Sequence, residues 1–378
     1  MNLNSILLTN SGVNQFTGGG IVSFNLLKAM QEVSSVKLIL SNQHFKDGKY
    51  FAPEEIQTYC IEPGQYGYYD PFFMDYMASS LIPDIPIELV QTYACPFGNT
   101  IEKLKTKYLA KVVADIAPHN IETSMQEHIK WQGSYPYPHL TNKFLWKLYS
   151  RHLCLADKVV VHSHSSAKYL EKAAGLKRTP AVIPHGCYLP SQQPISVSSY
   201  SLLDYTSYPS EVTPGYFGAL GADKGIVYMV TAWRNCNQPN KLIIGGRDAK
   251  GFKLETDMDK FNVLGVVDNI ADFYLNISFY IQPSVVEGFG ITPLEAMAFG
   301  RPVIVAEGAG MCELVTDGKD GFVVPIRDVK AIKDKIDYFF DNPDEIQKMG
   351  KEARKTAEKY TWDKIRKQYV DIYKELLG

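Results

Sequence analysis

Pro283-Ser284-Val285-Val286-Glu287-Gly288-Phe289-Gly290-Ile291-Thr292-Pro293-Leu294-Glu295-Ala296-Met297-Ala298-Phe299-Gly300 continues the apolar run that begins at Phe279. A short apolar run, a Gly-rich loop and a stretch of helix formers make the pattern of a strand turning into a helix. Gly288 and Gly290 let backbone amides approach a ligand closely. A helix beginning at Pro293 points its unpaired N–H groups and positive end at the same place, which suits phosphate. Glu287 in the loop and Glu295 one turn into the helix flank that place, and carboxylates there suit ligand hydroxyls rather than phosphates. Thr292-Pro293-Leu294-Glu295 also reads as a capping box, with Thr292 at N-cap, Pro293 at N1 and Glu295 at N3; Glu295 then serves only its own helix.

Outward from this stretch the alternation repeats. Apolar runs of strand length lie at Ser5 to Leu8, Val36 to Leu40, Lys111 to Ile116, Lys158 to His162 and Ala181 to Pro184, then at Gly215 to Leu220, Lys241 to Gly245, Val263 to Val266, Phe279 to Pro283, Pro302 to Ala306 and Phe322 to Pro325. Strands alternating with helical stretches predict parallel sheets. Pro190 to Pro214, rich in Ser, Tyr and Pro, breaks the series. The expected fold is therefore α/β, with two doubly wound, Rossmann-like domains. The N-terminal one takes residues 1–187, a linker takes 188–213 and the C-terminal one takes 214–361. A closing helix over about 362–378 is expected to cross back to the first domain.

Composition narrows the function. Of 378 residues 45% are hydrophobic and 21% charged, as in an ordinary globular protein. Basic and acidic residues nearly balance, 39 against 41, so no positive field exists to gather nucleic acid. Cys60, Cys95, Cys154, Cys187, Cys236 and Cys312 form no C-x-x-C pair and are expected to be reduced thiols of a cytoplasmic protein. The N-terminal run is too short for a signal peptide, and nothing approaches the roughly 18 apolar residues of a membrane span. No Gly-x-Gly-x-x-Gly follows a strand and no P-loop occurs; Gly308-Ala309-Gly310 is too little for either. Asp257-Met258-Asp259 lies in the polar run Lys253 to Lys260 and reads as a solvated surface, so no catalytic metal is expected.

The pair of glutamates with seven residues between them, in this setting, resembles glycosyltransferase family 4, the retaining group 1 branch of the GT-B fold. The likeness extends through Leu264-Gly265-Val266-Val267, Gly300-Arg301-Pro302-Val303-Ile304-Val305 and Asp317 to Pro325, so that Gly215 to Pro325 resembles the family's donor domain. It implies two domains facing each other across a cleft. The implied activity is transfer of a sugar from a nucleoside-diphosphate sugar, with no cofactor and with retention, to a glycan, lipid-linked or small-molecule acceptor. Glu287 would hold the donor sugar and Glu295 the ribose, while Gly288, Phe289, Gly290 and Ile291 lie along the diphosphate and sugar. In Phe217-Gly218-Ala219-Leu220-Gly221-Ala222-Asp223-Lys224-Gly225, Lys224 matches the diphosphate lysine; on its own it reads as a turn lysine. Ala219 stands where the family usually has an arginine, and Arg247 is the candidate substitute, or is a plain surface arginine. Gly18-Gly19-Gly20 resembles the family's loop near the diphosphate and acceptor, or is a plain strand-to-helix turn. His119 is assigned the role of the histidine facing the donor sugar, with a structural histidine or a turn-capping Asp115 as the alternative. Leu155 to Ser163, Val182-Ile183-Pro184-His185-Gly186 and Trp362-Asp363-Lys364-Ile365 match further landmarks. A hydrolase or epimerase of sugar nucleotides, or a non-catalytic sensor, would use the same site.

The acceptor side is less determined. Tyr66 to Phe73 and Trp131 to Tyr137 gather aromatic residues in loop-like segments of the first half. Ile101, Leu104 and Tyr108 share one helical face with Lys103, Lys105, Lys107 and Lys111 around it. That pattern fits a helix lying at the inner face of a membrane, in peripheral contact, or a helix packed on its own sheet.

Overall fold

The computed structural model describes residues 3–9, 18–41, 57–60, 71–94, 97–118, 120–134, 143–176, 178–190, 207–247, 259–267 and 269–378. The chain divides into two compact units. One comprises Met1–Pro118, His139–His185 and Trp362–Gly378; the other comprises His119–Pro138 and Gly186–Thr361. Residues 119–138, expected with the N-terminal half, thus group with the second unit, whereas the last helix groups with the first.

The first unit holds a seven-stranded parallel sheet. Its strands are β1 (Asn4–Thr9), β2 (Ser35–Ser41), β3 (Gln57–Cys60), β4 (Leu89–Tyr93), β5 (Lys111–Asp115), β6 (Lys158–Val161) and β7 (Ala181–Val182), in the order β3-β2-β1-β4-β5-β6-β7. α1 (Gly18–Gln31), α2 (Pro71–Ser80), α3 (Gly98–Tyr108), α5 (Lys143–Leu155) and α6 (His164–Ala174) connect them, and α4 (Ile121–Gln132) follows β5 in the chain. Ile6, Leu7 and Leu8, like Val112, Val113 and Ala114, have no solvent exposure, as consecutive residues of a sheet covered on both faces should. Two strands, β3 and β4, are additional to the expected series. In β4 the apolar run is broken by Gln91 and Thr92, both buried and both paired: Gln91 accepts from the Tyr373 hydroxyl at 2.7 Å, and Thr92 Oγ1 lies 3.0 Å from His152 Nε2. Asp115, at the end of β5, is equally buried; it accepts from Tyr369 and lies 2.9 Å from His162 Nε2, which makes it part of the core.

The apolar face of α3 is turned into the protein's own core. Ile101 and Leu104 are fully buried in one core with Met74, Ala78 and Leu153. Lys105 pairs with Asp157 at 2.6 Å, Lys107 with Asp84 at 2.7 Å, and Lys103 donates to the Ser79 carbonyl at 2.7 Å. The amphipathic pattern is that of a helix packed on its own sheet. Among the described residues no helix is long and apolar enough to cross a membrane.

The second unit holds a six-stranded parallel sheet of β8 (Pro214–Phe217), β9 (Leu242–Gly245), β10 (Phe261–Gly265), β11 (Phe279–Gln282), β12 (Val303–Ala306) and β13 (Gly321–Val324), ordered β10-β9-β8-β11-β12-β13. Its helices are α7 (Ile226–Arg234), α8 (Ile270–Leu275), α9 (Ile291–Ala298), α10 (Val329–Asp341) and α11 (Pro343–Ala357); α12 (Trp362–Leu377) ends the chain. Side chains alternate across the sheet as the pleat requires. Phe279 and Ile281 of β11 join the core under α7 and α10, while Tyr280 joins the core under α8 and α9. Neighbouring strands β8 and β11 leave the sheet in opposite lateral directions, one towards β9 and the other towards β12. This is the topological switch point, where the crevice beyond the carboxyl ends of the strands accepts a ligand.

Candidate donor site

The loops that follow β8 and β11 meet at that crevice. A single 3-10 turn, Ala222–Lys224, lies after β8, and Asp223 accepts backbone hydrogen bonds from Val285 at 2.9 Å and Val286 at 3.3 Å. Gly225 closes the turn with φ of 70°, and a Cβ there would stand 1.9 Å from the Pro283 carbonyl oxygen. Only glycine allows the two loops to touch in this way. The contact delivers Lys224 to Glu287, with Nζ 2.9 Å from Oε1 and both side chains mostly buried. Glu287 Oε2 also accepts from Gln282 Nε2 at 2.6 Å and Ser284 Oγ at 3.0 Å.

α9 begins at Ile291, after Gly290 at φ of 91°, and not at Pro293. Thr292 is therefore inside the first turn, and the expected capping box does not form. Its hydroxyl donates to Gln282 Oε1 at 2.6 Å, and no side chain caps the helix start. Glu295 accepts from the Tyr274 hydroxyl at 3.0 Å; the same hydroxyl lies 3.1 Å from the Thr292 carbonyl. Burial pushes the Glu295 carboxyl up to about 7, against the weaker pull of the Tyr274 hydrogen bond. The Tyr274 hydroxyl is held well above its ordinary range by burial and by Glu295.

The other expected residues fall into three groups. Gly288, Gly290 and Ile291 lie in the loop and at the helix start; the Phe289 ring is buried in the core beneath them, so Phe289 has only its main chain to offer a ligand. Arg247 is exposed, and its carbonyl accepts from Leu220 N at 2.8 Å, which sets it beside Ala219. Gly18, Gly19 and Gly20 are not a loop but the first turn of α1, in the first unit. His119, Tyr66 to Asp70, Tyr135 to Tyr137, Asp257 and Met258 lie outside the described residues. No group of three or more metal-ligating side chains occurs among the described residues.

Several contributors escaped the sequence pattern. Gln282 and Ser284 hold Glu287, and nothing in their spacing marks them. In α4, buried His128 brings Nε2 within 3.5 Å of Asp223 Oδ1, and its Nδ1 lies 2.6 Å from Gln132 Oε1. Burial alone would lower its pKa, but the Asp223 and Gln132 hydrogen bonds outweigh it and raise it. Next to it, buried Glu127 accepts from Arg327 Nε at 2.6 Å, the Tyr228 hydroxyl at 2.9 Å and Trp131 Nε1 at 3.2 Å. α4 is thus tied to the turn that carries Lys224.

Residues 208–356 match the family model of the glycosyl transferases group 1. They form a group 1 glycosyl transferase domain. That agrees with the resemblance to family 4 carried by Glu287 and Glu295. An uncharacterized glycosyltransferase of Methanocaldococcus jannaschii is 24% identical over 234 residues, which is 58% of this chain and 66%, just under two thirds, of that one. Among solved structures, the sucrose-phosphate synthase from Thermosynechococcus elongatus superposes with a TM-score of 0.77 at 20% identity, covering 99% of both chains. Anabaena HepE in complex with UDP and glucose does so with a TM-score of 0.67 at 17% identity, over 98% of this chain and 99% of that one. These likenesses establish the GT-B fold. The group 1 domain takes in the whole crevice with Lys224, Glu287 and Glu295.

Proposed function

We propose that the protein is a retaining, metal-independent glycosyltransferase that moves a sugar from a nucleoside-diphosphate sugar to a hydroxyl of a glycan, a lipid-linked molecule or a small molecule. The observation that carries this reading is the Lys224–Glu287 pair, 2.9 Å apart at the switch point and next to the uncapped start of α9. Such a place offers a cation and backbone N–H groups to a diphosphate, and a carboxylate to the sugar beside it. Anabaena HepE, which shares the fold, binds UDP and glucose in its crystal structure, and this supports a donor of the same class.

In the proposed reaction the acceptor oxygen attacks the anomeric carbon from the face that the diphosphate leaves. The new carbon–oxygen bond forms as the bond to phosphate oxygen breaks, and the acceptor proton passes to the departing diphosphate. Lys224 and the α9 N-terminus offset the charge that develops there. Glu287 orients the sugar, Glu295 takes the ribose hydroxyls, and Arg247 supplies the second cation in place of the missing arginine. The test is Glu287→Gln in the full chain. We expect transfer to fall by about 100-fold or more, as when a preorganised contact to the reacting group is lost, with the melting temperature close to wild type. Near-normal transfer would remove the assignment.

A further inference from the structure

The geometry points to Gln282 as a positioning residue that fixes Glu287 with a single acceptor position open to the donor sugar. This rests on the donor-site reading above. Gln282 is the last residue of β11 and shares a sheet face with Tyr280, so its side chain lies under α9. It is buried, at 4% exposure, and its Oε1 also lies 3.4 Å from the Tyr280 hydroxyl. The Tyr280 hydroxyl offers its proton to the Phe217 carbonyl at 2.6 Å and to Thr292 Oγ1 at 2.9 Å. Thr292 in turn donates to Gln282 Oε1 at 2.6 Å, which leaves Nε2 to donate to Glu287 Oε2 at 2.6 Å and to approach Ser284 Oγ at 3.3 Å. Above this pair sits Gly290, where a Cβ would be 3.1 Å from Gln282 Nε2 and 3.5 Å from the Glu287 carboxyl carbon.

The amide has two orientations, and only one is compatible with its neighbours. Turned over, its oxygen would face Glu287 Oε2 at the same short distance, a contact of two acceptors that only a protonated Glu287 relieves. Glu287 receives three donors, Gln282 and Ser284 at Oε2 and Lys224 at Oε1. A carboxylate has about four lone-pair positions, so one is left for a hydroxyl of the donor. The Glu287 carboxylate sets the sense of the amide, the amide and Ser284 hold Oε2 in place, and Glu287 meets the sugar through one direction of approach.

The experiment compares Gln282→Met, Gln282→Glu and the double variant Gln282→Glu with Glu287→Gln. It reads calorimetric binding of UDP and ADP, which carry no sugar, and steady-state turnover of the sugar nucleotide that the wild type accepts from a panel. For Gln282→Met we expect diphosphate binding within about twofold of wild type and kcat lower by about 10- to 100-fold, the range for a lost hydrogen bond to a charged group. Gln282→Glu, closer to glutamine in shape, should be the worse of the two because it sets a second carboxyl against Glu287. The double variant should regain the melting temperature lost by Gln282→Glu without regaining turnover, since the amide–carboxylate bond returns with its ends exchanged. Three results overturn the inference: normal kcat in Gln282→Met, equal loss of diphosphate binding and turnover in that variant, or Gln282→Glu more active than Gln282→Met. If Glu287→Gln remains active, the donor-site reading itself falls; if Glu287→Gln is dead and Gln282→Met is normal, only the role of Gln282 does.

Discussion

Replacing Glu295 by Gln should change how stability depends on pH more than it changes stability at any one pH. In the folded protein burial raises the carboxyl from 4.5 to about 7. At about 1.36 kcal/mol per pH unit this is about 3 kcal/mol against the ionised form. Glu295 keeps partial solvent contact, which screens that cost to about 1–3 kcal/mol. The sign follows from proton binding: between pH 4.5 and about 7 the folded state holds a proton that the unfolded state has released, so stability falls as pH rises through that window. Glutamine keeps the shape and still accepts from Tyr274, but does not titrate. Urea unfolding of both proteins at pH 4.5, 6, 7 and 8 should therefore show the variant gaining on the wild type by about 1–3 kcal/mol across the series, with the change complete a little above pH 7. Two curves that stay parallel from pH 4.5 to 8 would refute the buried-carboxyl account.

Lys224→Ala should lower turnover by about 100-fold or more, because it removes the charge facing the leaving diphosphate; steady-state rates that ignore the change would place the diphosphate elsewhere. Transfer should persist in excess EDTA, since Lys224 and the start of α9 supply the counter-charge; full loss on chelation, restored by a divalent cation, would contradict this. His128→Asn should destabilise the protein more at pH 6 than at pH 9. A histidine whose pKa is raised in the fold adds stability below its ordinary 6.5 and loses it as pH rises through the folded value. Thermal melts of both proteins across that range would show the gap closing, and a gap independent of pH would exclude the Asp223 contact as its source.

The second sheet was legible because its strands are short, mainly apolar runs alternating with helical stretches, and every expected strand of that half is present within a few residues. β4 was not legible for the converse reason. Gln91 and Thr92 interrupt its pattern, and only partners distant in the chain, Tyr373 and His152, make their burial tolerable. For α3 the pattern of Ile101, Leu104 and the lysines is amphipathic as expected, yet amphipathicity does not say what lies against the apolar face; the core of the first unit does. The capping-box motif failed in the same way. Four residues were compatible with a cap, but Gly290 starts α9 earlier and the Thr292 hydroxyl is taken by Gln282.

Local sequence by itself determined the kinds of element, the two parallel sheets and the pair of glutamates around a phosphate-type helix start, because each depends on residues within one turn or one strand. What only tertiary structure decided is which groups stand within hydrogen-bond reach. The order of β8 next to β11 joins Lys224 to Glu287 across 63 residues of chain. Helix α4 brings His128 to Asp223 from further away still. Hydrogen bonds and ion pairs act over about 3 Å, whereas sequence separation carries no information about such distances until the sheet has fixed which loops meet.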